Sequence, residues 1–343
     1  MIKIKNKIER ELPRFILEVD KRYSLSKISP LLIGRIKEFA SRNGKRVRPT
    51  LFVTSYLGFA KKEAPGLYTS ALSIEFLHDF MLVHDDIIDK SDTRRGKPSM
   101  HKIFNDYLRR AKNIKFNGED LAIVAGDVMY AIGLNAFLAI DENKERKERA
   151  MRSLIEAALY TGCGEFVELL YGIKPLKEIS KKDIYKIYDY KTACYTFASP
   201  LAIGAILGGA GPSEIKKLYQ YGIYLGRAFQ IKDDILGMFG SEKKIGKSTL
   251  TDLQEAKKTI LIWYAYKYSG NKTGINRIFT KPVADKGDLK KMQDIIIGSR
   301  ALDFAKKEVY ACLEKAKKLL DSSKIKAEYK ETLKDYAQQI LEI

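Results

Sequence analysis

Apolar residues in this chain recur at helical spacing and nowhere alternate in the two-residue period of a strand. Leu72, Phe76, Phe80 and Val83 mark one such run, and only nine prolines interrupt the 343 residues. A chain patterned this way can bury its apolar faces only by packing helix on helix. The expectation is an all-α fold, a bundle of long helices. It is read as one domain over residues 1–343, because no internal repeat, low-complexity segment or linker divides it.

One helical run ends in Val83-His84-Asp85-Asp86-Ile87-Ile88-Asp89, and Arg94 and Arg95 follow within a few residues. At about 100° per residue, Asp85 and Asp89 lie about 40° apart, with Asp86 about 60–100° from each. Three carboxylates opening onto one sector repel one another unless a cation sits among them. Oxygen-only donors suit a hard cation, and Mg²⁺ usually completes its shell with water and substrate phosphate. Arg94 and Arg95 offer planar forks for phosphate oxygens. The stretch reads as a magnesium–diphosphate clamp; the alternative is a solvated acidic helix end beside surface arginines. A second acidic pair, Asp233-Asp234, weighs against that alternative. It closes another helix-like run far away in the chain and is followed by the basic loop Lys243-Lys244-Ile245-Gly246-Lys247.

Other stretches carry chemistry more weakly. Lys45, Arg46 and Arg48 sit beside a flexible Gly44 in a basic turn that suits an anion, although surface turns of this kind are common. His78 lies two helical turns before Asp85, so it is either a rim residue or a ligand. Lys191-Thr192 interrupts an apolar and aromatic stretch, where a lysine needs an anionic partner. Glycines within Gly162-Cys163-Gly164-Glu165-Phe166-Val167-Glu168 permit close packing or close approach of a ligand. Helices are expected over residues 1–23 with a break near Pro13, from Ser29 to Arg42, and from Glu63 to Asp89. Others are expected over Leu121–Ile140 (a buried core helix), from Glu142 to Tyr171, after an N-cap at Ser180, and from Ser213 to Phe239. Gly270, Pro282 and Gly287 mark later turns.

The balance of 62 basic against 43 acidic residues, +19 net, attracts polyanions in general. The lysines are scattered, not interleaved with aromatics on one element, so nucleic acid is not the expected partner. Cys163, Cys194 and Cys312 lack metal spacing and read as reduced thiols in or near the core. The charged opening residues lack the apolar core of a secretory signal. Leu121–Ile140 has roughly the length of a membrane span but carries Asp127 and Asn135, so no transmembrane segment is expected. The expected location is cytoplasmic.

Taken together, these motifs resemble the trans-isoprenyl diphosphate synthases, from about Gly44 to Lys258 and in that family's order. The resemblance implies the isoprenoid-synthase fold, helices around a central cavity, usually paired as a homodimer. It implies that Asp85, Asp86 and Asp89 are the first aspartate-rich motif and Asp233 and Asp234 the second, together holding two or three Mg²⁺ ions. By the same resemblance, Arg94 binds the allylic diphosphate. Lys45, Arg48, His78 and Arg95 bind isopentenyl diphosphate. Lys191, Thr192 and Gln230 line the reacting carbon and the leaving diphosphate, over which Lys247 and Lys257 close. The chain departs from the pattern at Gly237, which replaces the last aspartate of the second motif, and at Glu165 and Glu168.

The implied reaction is Mg²⁺-dependent head-to-tail condensation of isopentenyl diphosphate with dimethylallyl, geranyl or farnesyl diphosphate. Neutralising the leaving pyrophosphate lets the allylic group ionise. The homoallylic double bond then attacks, and the departed pyrophosphate is the expected base. No nucleophilic side chain is required. Phe80 lies about 7.5 Å below Asp85 along a helix axis. With the non-aromatic Met81 beside it, it resembles the family's pattern for a geranylgeranyl (C20) product, with C15 or C25 as alternatives; the residue could also merely pack between helices. Rival readings are a class I terpene cyclase, a non-catalytic partner subunit of a prenyltransferase, and a nucleic-acid-binding helical protein.

Overall fold

The computed structural model describes residues 1–240 and 250–341, and that chain is almost entirely helical. In order come α1 (Ile2–Tyr23), α2 (Leu25–Ile28), α3 (Pro30–Ala40), α4 (Val47–Phe59), α5 (Leu67–Ile88) and α6 (Met100–Leu108). They are followed by α7 (Gly118–Phe137), α8 (Lys144–Gly172), α9 (Lys181–Ile187), a π-helical stretch Tyr188–Ala198, α10 (Ser199–Leu207) and α11 (Pro212–Phe239). Later helices span Ile260–Tyr268, Lys272–Phe279, Lys286–Gly298, Ala301–Asp321 and Ala327–Leu341. Among the described residues the only strands are a two-residue antiparallel hairpin, Thr93–Arg94 against Lys97–Pro98.

The chain forms two compact units, Met1–Met151 with Ile206–Gly209, and Arg152–Ala205 with Ala210–Ile343. In the first, α5 runs through the middle, packed chiefly on α7 and also on α4 and α1. Contact on several sides explains why α5 is apolar nearly all round: Leu67, Leu72, Ile74, Phe76, Leu77 and Val83 are all buried. Each such side chain contributes about 1.5–3 kcal/mol on leaving water. α7 starts from a capping box between Asn117 and Asp120 and turns Ala122, Ala125, Met129, Ile132 and Ala136 inward. It comes so close to α5 that a Cβ at Gly126 would lie 2.6 Å from His84 Nε2.

Several expectations are corrected here. α1 is unbroken through Pro13, held by an apolar stripe of Ile8, Leu12, Phe15, Ile16 and Val19 on the core. α7 is long and apolar enough to cross a membrane, but only 44% of that window is buried. Ile123 and Val124 are exposed, so the expected buried core helix is buried over only part of its surface. Gly287 lies in the first turn of a helix, not between helices. Cys194 and Cys312 are buried, whereas Cys163 is exposed on the outer face of α8.

In the second unit, α11 is central, packed on the π-helical stretch and on Ala301–Asp321. Gly226 allows the first contact, since a Cβ there would lie 2.4 Å from Ala193 Cα. Ser180 does cap α9, in a reciprocal capping box with Asp183.

Candidate active site

The C-terminal end of α5 gathers most of the first unit's predicted residues. Asp85 and Asp89 are partly exposed there, on successive turns, and Asp89 is the C-cap. Asp86 differs. It is fully buried, and its Oδ1 accepts from Arg94 Nε at 2.7 Å and from Arg94 Nη2. Burial pushes the Asp86 carboxyl up, and the Arg94 guanidinium pulls against that shift. Arg94 Nη2 also lies 3.8 Å from Asp85. The three carboxylates are therefore not equivalent: two are presented together, and one orients an arginine.

Asp85 and Asp89 fit a hard divalent cation by donor type. Among the described residues no group of three or more carboxylate, imidazole or thiol side chains forms a metal cage. Mg²⁺ commonly takes one or two protein carboxylates and completes its shell from water and phosphate.

Arg95 follows with a positive φ of 55°, in the hairpin turn. Its Nη2 lies 3.3 Å from Asp79 and 3.8 Å from Glu75, both buried on α5. Lys45 is exposed in the turn that leads into α4, and Arg48 is half-buried in the first turn of that helix. The backbone freedom expected of Gly44 is found instead at Arg46, whose φ is 50°. Arg46 is also no anion ligand. Its side chain is fully buried and bonds Glu75 at 2.6 Å, Glu9 at 2.8 Å and the Ala40 carbonyl at 2.8 Å. Burial would lower its pKa, but the Glu75 and Glu9 carboxylates outweigh that and raise it. His78 shares this neighbourhood: burial, then Arg48 and Arg95, hold its imidazole well below the usual range. It is neutral at pH 7 and can accept or donate one hydrogen bond.

Below this end of α5, the Phe80 ring packs against His84, with centroids 4.6 Å apart, and against Tyr130 of α7 at 5.3 Å. His84 Nε2 reaches the Ile123 carbonyl at 3.2 Å, in the space that Gly126 leaves. Met81 is half-buried beside it.

The second unit builds its own constellation around the π-helical stretch, a form that concentrates at functional positions. Lys191 receives the anionic partner its surroundings demand, and receives two: Glu165 at 2.6 Å and Glu168, closer still, both from α8. Gly164 lets α8 pack this closely on the π-helical stretch, since a Cβ there would lie 2.6 Å from the Lys191 backbone nitrogen. Thr192 Oγ1 donates to Gln230 Oε1 at 2.8 Å, and Gln230 Nε2 donates to Asp234 Oδ1 at 3.0 Å. Asp234 Oδ2 accepts from the buried Tyr188 hydroxyl, which in turn accepts from Ile260 N at 2.9 Å. This chain of bonds engages both Asp234 oxygens, and its neighbour Asp233 on α11 is exposed. Gly237 is buried. Lys257 pairs with Glu255 at 2.9 Å, and Lys247 lies outside the described residues.

Sequence reasoning missed Glu75, Asp79, Tyr130 and Tyr188 as members of these groups. For Asp79 the signal was present: a carboxylate inside the apolar run Phe76–Phe80 needs a partner as much as Lys191 does.

A family model described as polyprenyl synthetase matches residues 30–296. The chain belongs to the polyprenyl synthetase family. It is a prenyltransferase, and its all-α architecture is that of the family's solved structures. This prenyltransferase is 35% identical to a geranylfarnesyl diphosphate synthase of Aeropyrum pernix over 312 residues, covering 88% of this chain and 91% of the relative. It is 32% identical to a geranylgeranyl diphosphate synthase of Saccharolobus solfataricus over 294 residues, 82% of each chain. A geranylgeranyl pyrophosphate synthase structure from Corynebacterium glutamicum, complexed with isoprenyl diphosphate and magnesium, superposes with a TM-score of 0.88 at 26% identity. It covers 99% of this chain and 98% of that one.

Proposed function

We propose that this synthase condenses isopentenyl diphosphate with allylic diphosphates and releases geranylgeranyl diphosphate (C20) as its main product. The observation that carries the reading is the end of α5. There, two partly exposed carboxylates and the Arg94–Asp86 pair lie close in sequence to the Arg95–Asp79 pair. Anion-binding cations and cation-binding carboxylates on one helix end suit a metal-bound diphosphate.

In this reading Asp85, Asp89 and Asp233 hold Mg²⁺, two or three ions in all. The metal, when bound, supplies Lewis-acid neutralisation of the diphosphate. Arg94, with Lys191, Lys257 and Lys247, sets fixed positive charge against the leaving group. Asp86 keeps the Arg94 fork oriented. Lys45, Arg48, neutral His78 and Arg95 hold isopentenyl diphosphate by its charged end. The Thr192 and Gln230 side chains, ordered by Asp234, offer oxygen lone pairs to a developing allylic cation. We further propose that both units form one catalytic domain, that the enzyme is cytoplasmic, and that it works as a homodimer. The exposed apolar stripe Ile155, Leu159, Phe166, Leu169 and Leu170 on α8 supports pairing.

The test is consumption of isopentenyl diphosphate in step with pyrophosphate release, in the presence of an allylic diphosphate. A terpene cyclase would release pyrophosphate without consuming isopentenyl diphosphate, and a non-catalytic subunit would do neither. A C25 product is the second reading, favoured by the Aeropyrum pernix relative's name.

Phe80→Ala removes the ring that stands against Tyr130 and His84. The product is expected to lengthen by at least one isoprene unit, read by mass spectrometry; an unchanged length would put the floor elsewhere.

Glu165→Gln tests the Lys191 clamp. Two carboxylates on one ammonium hold it away from other anions. Removing one charge frees about 1 kcal/mol, which corresponds to about a fivefold lower KM for the allylic diphosphate with that for isopentenyl diphosphate unchanged.

A further inference from the structure

Asp79 is 1% exposed, and neither of its carboxylate oxygens has a hydrogen-bond partner. Among the described residues its one ionic contact is Arg95 Nη2 at 3.3 Å. A buried carboxyl in that condition is costly to folding, which points to a role outside stability. Its surroundings are specific. One α5 turn back, Glu75 is fixed by the fully buried Arg46, which caps α4 between Lys45 and Arg48. Glu75 also lies 3.8 Å from Arg95 Nη2. A Cβ at Gly44 would sit 3.6 Å from the Arg95 Cζ and 3.7 Å from the Arg46 Cζ, so this turn backs both guanidinium groups. The other Arg95 terminal nitrogen, Nη1, is buried without a hydrogen-bond partner. Arg95 is thus gripped by one edge and keeps donors on the other.

We propose that Asp79, braced by Glu75 and Arg46, is a positioning residue for isopentenyl diphosphate, acting through Arg95. The inference rests on the reading of Arg95 as a diphosphate ligand. An arginine at positive φ on a hairpin turn needs such a grip, because its long side chain otherwise samples many rotamers before it meets a substrate. Burial, reinforced by the Glu75 carboxylate, pushes the Asp79 carboxyl upward against the pull of Arg95, Arg46 and Arg48. A carboxyl that takes up a proton there still offers its carbonyl oxygen to Arg95 and adds no charge against a diphosphate. The grip therefore needs an oxygen acceptor more than a negative charge.

The test is steady-state kinetics of the full chain, varying each substrate at saturating concentrations of the other. Asp79→Leu is expected to raise KM for isopentenyl diphosphate about tenfold and leave that for the allylic diphosphate unchanged. Asp79→Asn, which keeps an oxygen acceptor, is expected within about threefold of the parent. On an Arg95→Gln background, Asp79→Leu should add nothing, because the two act as one unit. The melting temperature of Asp79→Leu should stay level or rise. If Asp79→Leu does not fold, Asp79→Ala carries the same prediction. Equal KM shifts for both substrates, an additive double variant, or an unchanged KM for isopentenyl diphosphate would each overturn the inference. A parent protein that consumes no isopentenyl diphosphate would remove the functional reading itself, which is a different failure.

Discussion

Asp85→Asn is expected to lower turnover by about 10³-fold while the protein stays folded. Asp85 is partly exposed on the last turn of α5, one turn before Asp89. Its carboxylate lies 3.8 Å from Arg94 Nη2. Asparagine keeps the volume and polarity of this partly exposed side chain, so folding is expected to lose little. On the proposed reading the reaction loses much, because the cation assigned to Asp85 and Asp89 is left with one of these carboxylates. Several kcal/mol of charge stabilisation at the leaving group are at stake, and each 1.36 kcal/mol is a factor of about ten in rate. The loss should be accompanied by a higher Mg²⁺ requirement. Turnover within about tenfold of the parent would take Asp85 out of the metal site. Asp86→Asn should behave differently, loosening Arg94 and raising KM for the allylic diphosphate before it alters the metal requirement.

The second large effect is on stability. Arg46→Met is expected to cost about 3–5 kcal/mol, because Glu75, 3% exposed, would be left as a buried carboxylate without its counter-ion. For a chain of this size that is a fall in melting temperature of roughly 4–7 °C. The partly exposed Glu9 adds less, as solvent screens it. The exposed Lys7–Glu63 pair is the internal control, since its removal should cost under about 1 kcal/mol. Thermal and urea unfolding, followed by circular dichroism, would compare the two. A melting temperature within about 2 °C of the parent for Arg46→Met would show that Glu75 finds another partner or takes up a proton.

These two cases mark how far the sequence could be read. The helices were legible because their apolar periodicity is long and repeated, and α5 with its acidic end stood out for that reason. Charge pattern also indicated that Lys191 needed an anion, and Glu165 and Glu168 supply it. What pattern could not separate was burial among like residues. Lys45, Arg46 and Arg48 look alike in a basic turn, yet Lys45 is exposed and Arg46 is a core ion pair held by carboxylates from α1 and α5. The same limit hid the difference between Asp85 and Asp86, which long-range contact with Arg94 creates. The π-helical stretch under Lys191 and Thr192 carries no periodic signature of its own, because it is inserted between two ordinary helices. Tyr130 became legible only once α7 was laid along α5 and its ring met Phe80.

The most direct measurement incubates the purified protein with Mg²⁺, isopentenyl diphosphate and, in turn, dimethylallyl, geranyl or farnesyl diphosphate, and reads product chain length by mass spectrometry. A dominant C20 diphosphate that disappears with EDTA is the predicted result. Isopentenyl diphosphate left unconsumed with every allylic partner would contradict it.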